Sequence, residues 1–151
     1  MNEEKFMRTA ISEARRAFDR GEVPVGAVVV KNGEIIARGY NLVEENKDPT
    51  AHAEMIALRA AARKLGGWRL IGCDLYVTCE PCAMCAGAMV WSRIEHLYFG
   101  AEDPKAGACG SVFDIPAETR LNHSIEVFGG ILEDECAALL RDFFARLRTK
   151  K

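Results

Sequence analysis

One histidine, one glutamate and two cysteines are the residues of this sequence with the clearest capacity for chemistry. His52 and Glu54 lie two residues apart, and Cys82 and Cys85 lie three residues apart. An imidazole and two thiolates are typical zinc ligands, and three protein ligands leave a fourth position open for water, whereas structural zinc sites normally have four. We therefore expect His52, Cys82 and Cys85 to hold one zinc ion per chain and Glu54 to remain free of the metal.

Glu54 can move protons for a water molecule on such a zinc ion. Zinc lowers the pKa of bound water from ~15.7 to about 7, which makes hydroxide available at neutral pH. Proton transfer by a positioned side chain typically contributes on the order of 10² to 10⁴ in rate. The combination predicts hydrolytic attack on an electron-poor carbon, in which Glu54 takes a proton from the water and returns it to the substrate.

A structural zinc site is the alternative, and it would need a fourth ligand. Cys79 is the candidate because it precedes Cys82 by three residues. We assign Cys79 to the core instead, since alternation along a strand places it on the same face as Leu75 and Val77. The other cysteines are interpreted as unreactive buried or loop thiols: Cys73, Cys109 and Cys136.

Helices and strands alternate along the chain, which predicts a layered α/β domain with helices on both faces of a sheet. Asn32 and Gly33 mark a hairpin that supplies the one clearly antiparallel pair, and the later strands should run parallel. We place His52 in the first turn of one helix and the cysteine pair in the first turn of another that starts at Pro81. The predicted helices cover 3–20, 51–65, 81–93 and 133–148, and the predicted strands cover 25–30, 34–40, 75–79, 96–100 and 124–128.

The composition is that of a globular protein of 151 residues with one domain, 1–151. A net charge of −2 argues against broad, sequence-blind nucleic-acid binding but leaves room for a local basic patch. No apolar run approaches the roughly 20 residues of a membrane helix. The acidic, polar start is unlike a secretory signal, so the six cysteines indicate a reducing cytoplasm rather than disulfides.

Two short segments together carry a family resemblance. His-Ala-Glu at 52–54 and Pro-Cys-Ala-Met-Cys at 81–85, separated by 26 residues, resemble the motif of zinc-dependent nucleoside and nucleobase deaminases. Over nearly the whole chain the sequence further resembles the bacterial tRNA-specific adenosine deaminases. The segments that carry this resemblance are 22–28, 48–54, 75–81, 105–111, 121–123 and 133–144.

The resemblance implies a three-layer α/β/α fold with a mixed five-stranded sheet. It implies a homodimer that converts adenosine to inosine at the wobble position of a tRNA anticodon, usually that of an arginine tRNA. By motif position it implies zinc ligands at His52, Cys82 and Cys85 and a proton shuttle at Glu54. The substrate-binding residues that it implies are Asn41, which would hydrogen-bond the flipped base, Ala53 and Pro81, whose backbone groups would line the pocket, and Asp103 and Asn122, which would contact the RNA.

Several of these residues have a simpler interpretation as well. Asn41 could be a turn residue, Asp103 a solvated loop carboxylate, and Asn122 the cap of a local turn. His123 could be a structural residue that bonds to backbone. Ser124 stands where the family often has arginine, which removes one phosphate contact from those expected.

The carboxy-terminal helix and tail are basic, which suits either the negative end of the helix or the phosphates of an anticodon stem. Phe143 and Phe144 are adjacent, so the helix cannot bury both equally and one could face the RNA. The basic residues are Arg141, Arg146, Arg148, Lys150 and Lys151.

Two other functions stay open at this stage. A deaminase of a free base or nucleoside, such as guanine or cytidine, would use the same zinc ligands but close its pocket over a small molecule; the segments 105–111 and 121–123 argue against it. A non-catalytic RNA-binding subunit would be expected to lack the glutamate at position 54, which is present here.

Overall fold

The computed structural model describes residues 2–149, which form one five-stranded sheet with helices on both faces. Lys150 and Lys151 of the basic tail lie outside the described residues. The helices are α1 (Asn2–Asp19), α2 (Val43–Asn46), α3 (Ala53–Leu65), α4 (Ala83–Trp91) and α5 (Glu133–Thr149), and the strands are β1 (Gly26–Lys31), β2 (Glu34–Tyr40), β3 (Cys73–Cys79), β4 (His96–Ala101) and β5 (Glu126–Phe128).

The sheet has the order β2-β1-β3-β4-β5 and is mixed, as the resemblance implied. The parallel pairing of β3 with β4 and of β4 with β5 is confirmed. The hairpin, however, does not supply the only antiparallel pair, because β1 is antiparallel to β3 as well as to β2. The reason is that α3 carries the chain across the sheet, so β2 and β3 run in the same direction with β1 between them.

Both faces of the central strands are buried. Val28 and Val30 of β1 pack under α1 and α5, whereas Ala27 and Val29 pack under α3 and α4. This explains why the strand is a continuous apolar run rather than an alternating one, since a strand covered on both sides needs apolar residues at every position.

The starts of α3 and α4 differ slightly from the prediction. His52 and Cys82 are the N-cap residues of these helices, with extended backbone conformations, rather than members of the first turn. Pro81 therefore precedes the cap, and only Cys85 lies within the first turn. The short helix α2 lies between the predicted strand 34–40 and the predicted helix 51–65, where no helix was predicted, and β5 begins two residues later than predicted.

The long connection between β4 and β5 has structure of its own. It contains a short 3₁₀-helix at Ile115–Ala117 and an isolated antiparallel bridge between Cys109 and Asp114. His123 donates from Nε2 to the Ile94 carbonyl at 2.7 Å. The structural interpretation of this histidine is therefore confirmed.

A histidine between two carboxylates links the three neighbouring parallel strands β3, β4 and β5. His96 Nδ1 lies 2.7 Å from Asp74 Oδ1, and its Nε2 lies 3.2 Å from Glu126 Oε1. The hydrogen bond with Asp74 raises the pKa of His96 above its ordinary 6.5. The folded state therefore favours the charged imidazole.

We expect the stabilisation from His96 to be complete below pH of about 6.5 and to disappear as the pH rises through the raised pKa. The difference in unfolding free energy between the wild type and His96→Gln, measured by urea denaturation from pH 5.5 to 9, should fall by up to about 1 kcal/mol, the scale of partly exposed ion pairs. An Asp74→Asn background should remove most of this pH dependence. A difference that does not change with pH would contradict the assignment.

No helix among residues 2–149 combines the length and the apolar character needed to cross a membrane.

Candidate metal centre

The three predicted ligands converge in space. His52 Nδ1 lies 3.7 Å from Cys82 Sγ and 3.6 Å from Cys85 Sγ, and the three donor atoms all lie within 4.8 Å of one another. Tetrahedral bonds of about 2.3 Å to sulfur and about 2.0 Å to nitrogen would separate S and N by about 3.5 Å. The donor set therefore fits zinc in both chemistry and spacing.

The convergence depends on a close approach between β2 and the first turn of α3. A Cβ on Gly39 would lie 2.7 Å from the Ala53 carbonyl oxygen and 2.8 Å from the Ala57 nitrogen. Only glycine fits at position 39. Because it has no side chain, the start of α3 can lie directly against β2. The cap of α3 is thus held where it meets the cap of α4.

The cluster favours the thiolate form of one of its two cysteines. Hydrogen bonding from Cys85 and then from His52 lowers the pKa of Cys82 to about 3. The same contact, together with burial, raises the pKa of Cys85, and the bond to Cys82 raises the pKa of His52. The free N–H groups of a helix start also favour thiolate. Without a metal, protons shared among the three side chains balance the negative charge of the sulfur. A bound divalent cation would supply that positive charge instead.

Glu54 lies beside the cluster and is almost completely buried, with 4% of its surface exposed. Burial, which is the largest cause, raises its pKa to about 7. A carboxyl group with a pKa near the working pH is well suited to accept and return a proton. The side chain therefore has the properties expected of a proton shuttle.

A cavity of about 1300 Å³ opens onto these residues. Its floor contains His52, Ala53, Glu54 and Cys82. Three walls surround this floor. They come from the segment around α2 (Gly21, Glu22, Val23, Val25, Asn41, Val43 and Glu44), from β3 and the segment after β4 (Cys79, Glu80, Glu102, Asp103, Lys105 and Ala106), and from α5 (Leu140, Phe143, Phe144, Leu147 and Arg148).

Of the remaining predicted site residues, some line the cavity and others do not. Asn41 lines the cavity, but its amide is also used locally: Nδ2 donates to the Val23 carbonyl at 3.3 Å, and Oδ1 accepts from the Val43 N–H at 3.1 Å. Asp103 lines the cavity too, and its Oδ1 accepts from two backbone N–H groups of its own loop.

The other predicted substrate-binding residues are Ala53, Pro81 and Asn122. Ala53 lines the cavity. Pro81 is buried and is not among the lining residues; its carbonyl accepts from the Ala108 N–H at 2.8 Å. Asn122 is exposed in the long connection and also lies outside the lining.

The prediction that Cys79 lies in the core is wrong. It is half-buried and lines the cavity, because β3 ends there and its last residue projects beyond the packed part of the sheet. Burial raises the pKa of its thiol, so it stays neutral. Within residues 2–149 the convergent donor group consists of His52, Cys82 and Cys85, and Cys79 is not a fourth ligand in it.

Two buried carboxylates that line the cavity, Glu22 and Glu80, were not predicted from the sequence as site residues. Glu22 accepts from the Glu44 N–H at 3.0 Å and the Glu45 N–H at 2.7 Å at the start of α2. Burial alone would raise the pKa of Glu80, but hydrogen bonds led by that of Ser111 outweigh it and lower the pKa. For Glu80 the signal available was a charged residue inside an otherwise mostly apolar stretch, since buried charges need partners.

The comparisons with known proteins agree with this geometry. A family model described as the cytidine and deoxycytidylate deaminase zinc-binding region matches residues 1–101. The chain belongs to this deaminase family. The matched region ends with β4, so it contains every residue of the convergent cluster together with Glu54.

Two bacterial relatives resemble this deaminase over nearly its whole length. The tRNA-specific adenosine deaminase of Bacillus subtilis is 53% identical over 149 residues, which is 99% of this chain and 92% of the relative. The protein of the same name from Aquifex aeolicus is 53% identical over 148 residues, or 98% of this chain and 97% of the relative.

Solved structures give the same result. One from studies of A-to-I editing by tRNA A34 deaminases at the wobble position has a TM-score of 0.87 and 48% identity, covering 90% of this chain and 99% of its own. A guanine deaminase from Nitrosomonas europaea has a TM-score of 0.79 and 32% identity, covering 94% and 84%. The deaminase fold is therefore shared by enzymes whose substrates differ greatly in size.

Proposed function

We propose that this deaminase hydrolyses adenosine to inosine at the wobble position of a tRNA anticodon, with an arginine tRNA as the expected substrate. The observation that carries the proposal is the 53% identity, over nearly the full length, to two proteins named tRNA-specific adenosine deaminase. In this reaction the oxygen of water adds at C6 of adenine and the amino group leaves as ammonia.

The roles of the central residues follow from their positions. We assign one zinc ion per chain to His52 Nδ1 and to the sulfurs of Cys82 and Cys85. When bound, zinc acts as a Lewis acid that lowers the pKa of a coordinated water towards neutrality. Glu54 would take up the proton of the attacking water and return it to the base. Its burial keeps the exchange shielded from bulk solvent.

The substrate contacts are proposed for the residues around the floor. Asn41 donates its second amide N–H to the flipped base, and the backbone groups of Ala53 and Pro81 bound the base pocket. Asp103 and Asn122 contact RNA next to the flipped nucleotide. The lining positions of Asn41, Ala53 and Asp103 support these roles, whereas those of Pro81 and Asn122 rest on the sequence resemblance alone.

The apolar wall from α5 favours a nucleic acid over a free base. Phe143 is packed edge-on against Phe18 and is 7% exposed, while its neighbour Phe144 is 41% exposed, and both line the cavity. The cavity volume of about 1300 Å³ is also larger than a single purine base requires. An exposed aromatic ring is a stacking platform for a base of single-stranded RNA, and each such stack contributes roughly 1–3 kcal/mol.

Phe144→Ala should therefore raise the KM for an anticodon stem–loop about tenfold, because a stack of that strength is lost. Phe144→Tyr, which keeps the ring, should stay within about threefold of the wild type. Steady-state kinetics on the stem–loop measures both. An unchanged KM for the alanine variant would remove Phe144 from the RNA surface.

The proposed function is tested by supplying the pure protein with substrates of different size. An anticodon stem–loop with adenosine at the wobble position should yield inosine, whereas free adenosine, guanine and cytidine should not react. The free-base alternative has one observation in its favour, the TM-score of 0.79 to a guanine deaminase. Turnover of guanine or cytidine without reaction of the stem–loop would establish that alternative instead.

We further propose that two copies associate through the outer face of α4. No residue of this helix is charged, and Trp91 at its end is 70% exposed. Phe113 is 60% exposed in the segment that leads into the 3₁₀-helix, which packs on α4. Exposed apolar residues grouped in this way are typical of an interface.

Trp91→Glu should convert the dimer to a monomer at micromolar concentration, because a charge would be buried without a partner. Light scattering after gel filtration measures the mass, and Leu65→Glu, at an exposed residue near the end of α3, serves as the control. If the wild type itself runs as a monomer, the α4 interface is wrong.

We place this single-domain protein in the cytoplasm, where its six thiols would remain reduced.

A further inference from the structure

The carboxylate of Glu80 holds one segment of the chain in place. Oε1 accepts from the Asp103 N–H at 3.0 Å and from the Ser111 hydroxyl. Oε2 accepts from the N–H groups of Cys109 and Ser111, each at 3.0 Å. All four donors belong to the segment 103–111, and Glu80 is only 3% exposed.

The segment is shaped to let this carboxylate approach. A Cβ on Gly107 would lie 2.4 Å from Cδ of Glu80 and 2.5 Å from either of its oxygens. The carboxylate could move aside only by giving up some of its four hydrogen bonds. The absence of a side chain at position 107 is thus part of the same arrangement.

The first residues of the held segment also form part of a cavity wall. Asp103, Lys105 and Ala106 line the cavity, and so does Glu80. Glu80 immediately precedes Pro81, whose carbonyl accepts from the Ala108 N–H at 2.8 Å, and Cys82 follows. The contacts therefore connect the wall to the stretch of chain that presents a metal ligand.

We propose that Glu80 is a positioning residue that fixes the segment 103–111 and, with it, the part of the cavity wall at Asp103, Lys105 and Ala106 that would face the RNA. The identity of the substrate rests on the proposed function, but the anchoring itself does not. Hydrogen bonds to a charged acceptor are about twice as strong as neutral ones, so one carboxylate can restrict a loop of nine residues. Without the anchor, the wall would be in its binding geometry for a smaller fraction of the time, and the apparent affinity would fall by that fraction.

The test uses Glu80→Gln in the zinc-loaded, full-length protein. Glutamine keeps the shape but replaces one acceptor oxygen with a donor that faces N–H groups. We expect the KM for the stem–loop to rise about tenfold, with kcat within about threefold of the wild type and zinc content unchanged. Hydrogen exchange at the Cys109 and Ser111 amides should accelerate in parallel.

Two other variants keep the proposal testable if Glu80→Gln folds poorly. Ser111→Ala removes one bond from an exposed residue and should raise KM about threefold. Gly107→Ala leaves the charge of Glu80 intact but displaces the carboxylate, so it should resemble Glu80→Gln.

Glu13→Gln is the matched control. Glu13 is a buried carboxylate, 4% exposed, that pairs with Arg16 and Arg38 and does not line the cavity. It should lower stability but leave KM within about twofold.

The outcomes are distinguishable. An inactive wild type would refute the proposed function, and the exchange measurement would still decide the anchoring. An active wild type with unchanged KM and unchanged exchange in Glu80→Gln would overturn the inference. Loss of zinc from Glu80→Gln would overturn it too, because Glu80 would then act on the metal site rather than on the wall.

Discussion

Glu54→Gln is expected to retain zinc and fold while losing turnover of the stem–loop adenosine by about 10²- to 10⁴-fold. The side chain is not among the three convergent donors, so the metal site keeps its ligands. Glutamine cannot accept the proton of the attacking water at neutral pH. Because the group is buried, little of the lost proton transfer should be recovered from solvent.

Single-turnover kinetics at saturating RNA measures the loss, and Glu54→Ala should behave in the same way. Metal analysis and the thermal unfolding midpoint confirm that site and fold remain. Binding of the stem–loop should change little, which makes the expected effect one on kcat. A variant that retains wild-type activity would show that Glu54 is not the shuttle.

Removal of zinc is expected to abolish the reaction completely and reversibly. A chelator should remove metal and activity in proportion, and added Zn²⁺ should restore both. Mg²⁺ should not restore activity, because a hard cation prefers oxygen ligands to the two sulfurs of this site. Metal content and inosine formation, measured on the same samples, test this prediction.

Cys85→Ala supplies the control for the metal experiment. Cys85 is fully buried and provides one of the three donors, so the variant should bind less than one zinc and stay inactive when Zn²⁺ is added. Full activity of a metal-free sample would overturn the zinc mechanism.

The sequence was informative about the cluster because its chemistry depends on residue type. An imidazole and two cysteines at short spacing have few other uses, and the structure brings the three together. The alternation of helices and strands also determined the layers and the parallel half of the sheet. Antiparallel pairing of β1 with β3 was missed, since strand order depends on where α3 crosses and not on local pattern.

The walls of the cavity were harder to predict. The alternation of apolar residues along β3 predicted that Cys79 would be buried in the core. The strand ends at the cavity, however, and its last residue is only half-buried there. Glu22 and Glu80 accept hydrogen bonds from segments that lie about twenty to thirty residues away in the sequence. Contacts of that range have no periodicity, and a single acidic residue is usually exposed.

The meeting of two helix caps has a consequence for how the chain opens. His52 and Cys82 are about thirty residues apart, and the chain between them includes α3 and β3. A metal bound to both would close this loop much as a cross-link does, restricting the unfolded chain more than the folded one. Loading with zinc should therefore protect α3 and the start of α4 from local opening as one unit, whereas opening at the distant end of α5 should not change.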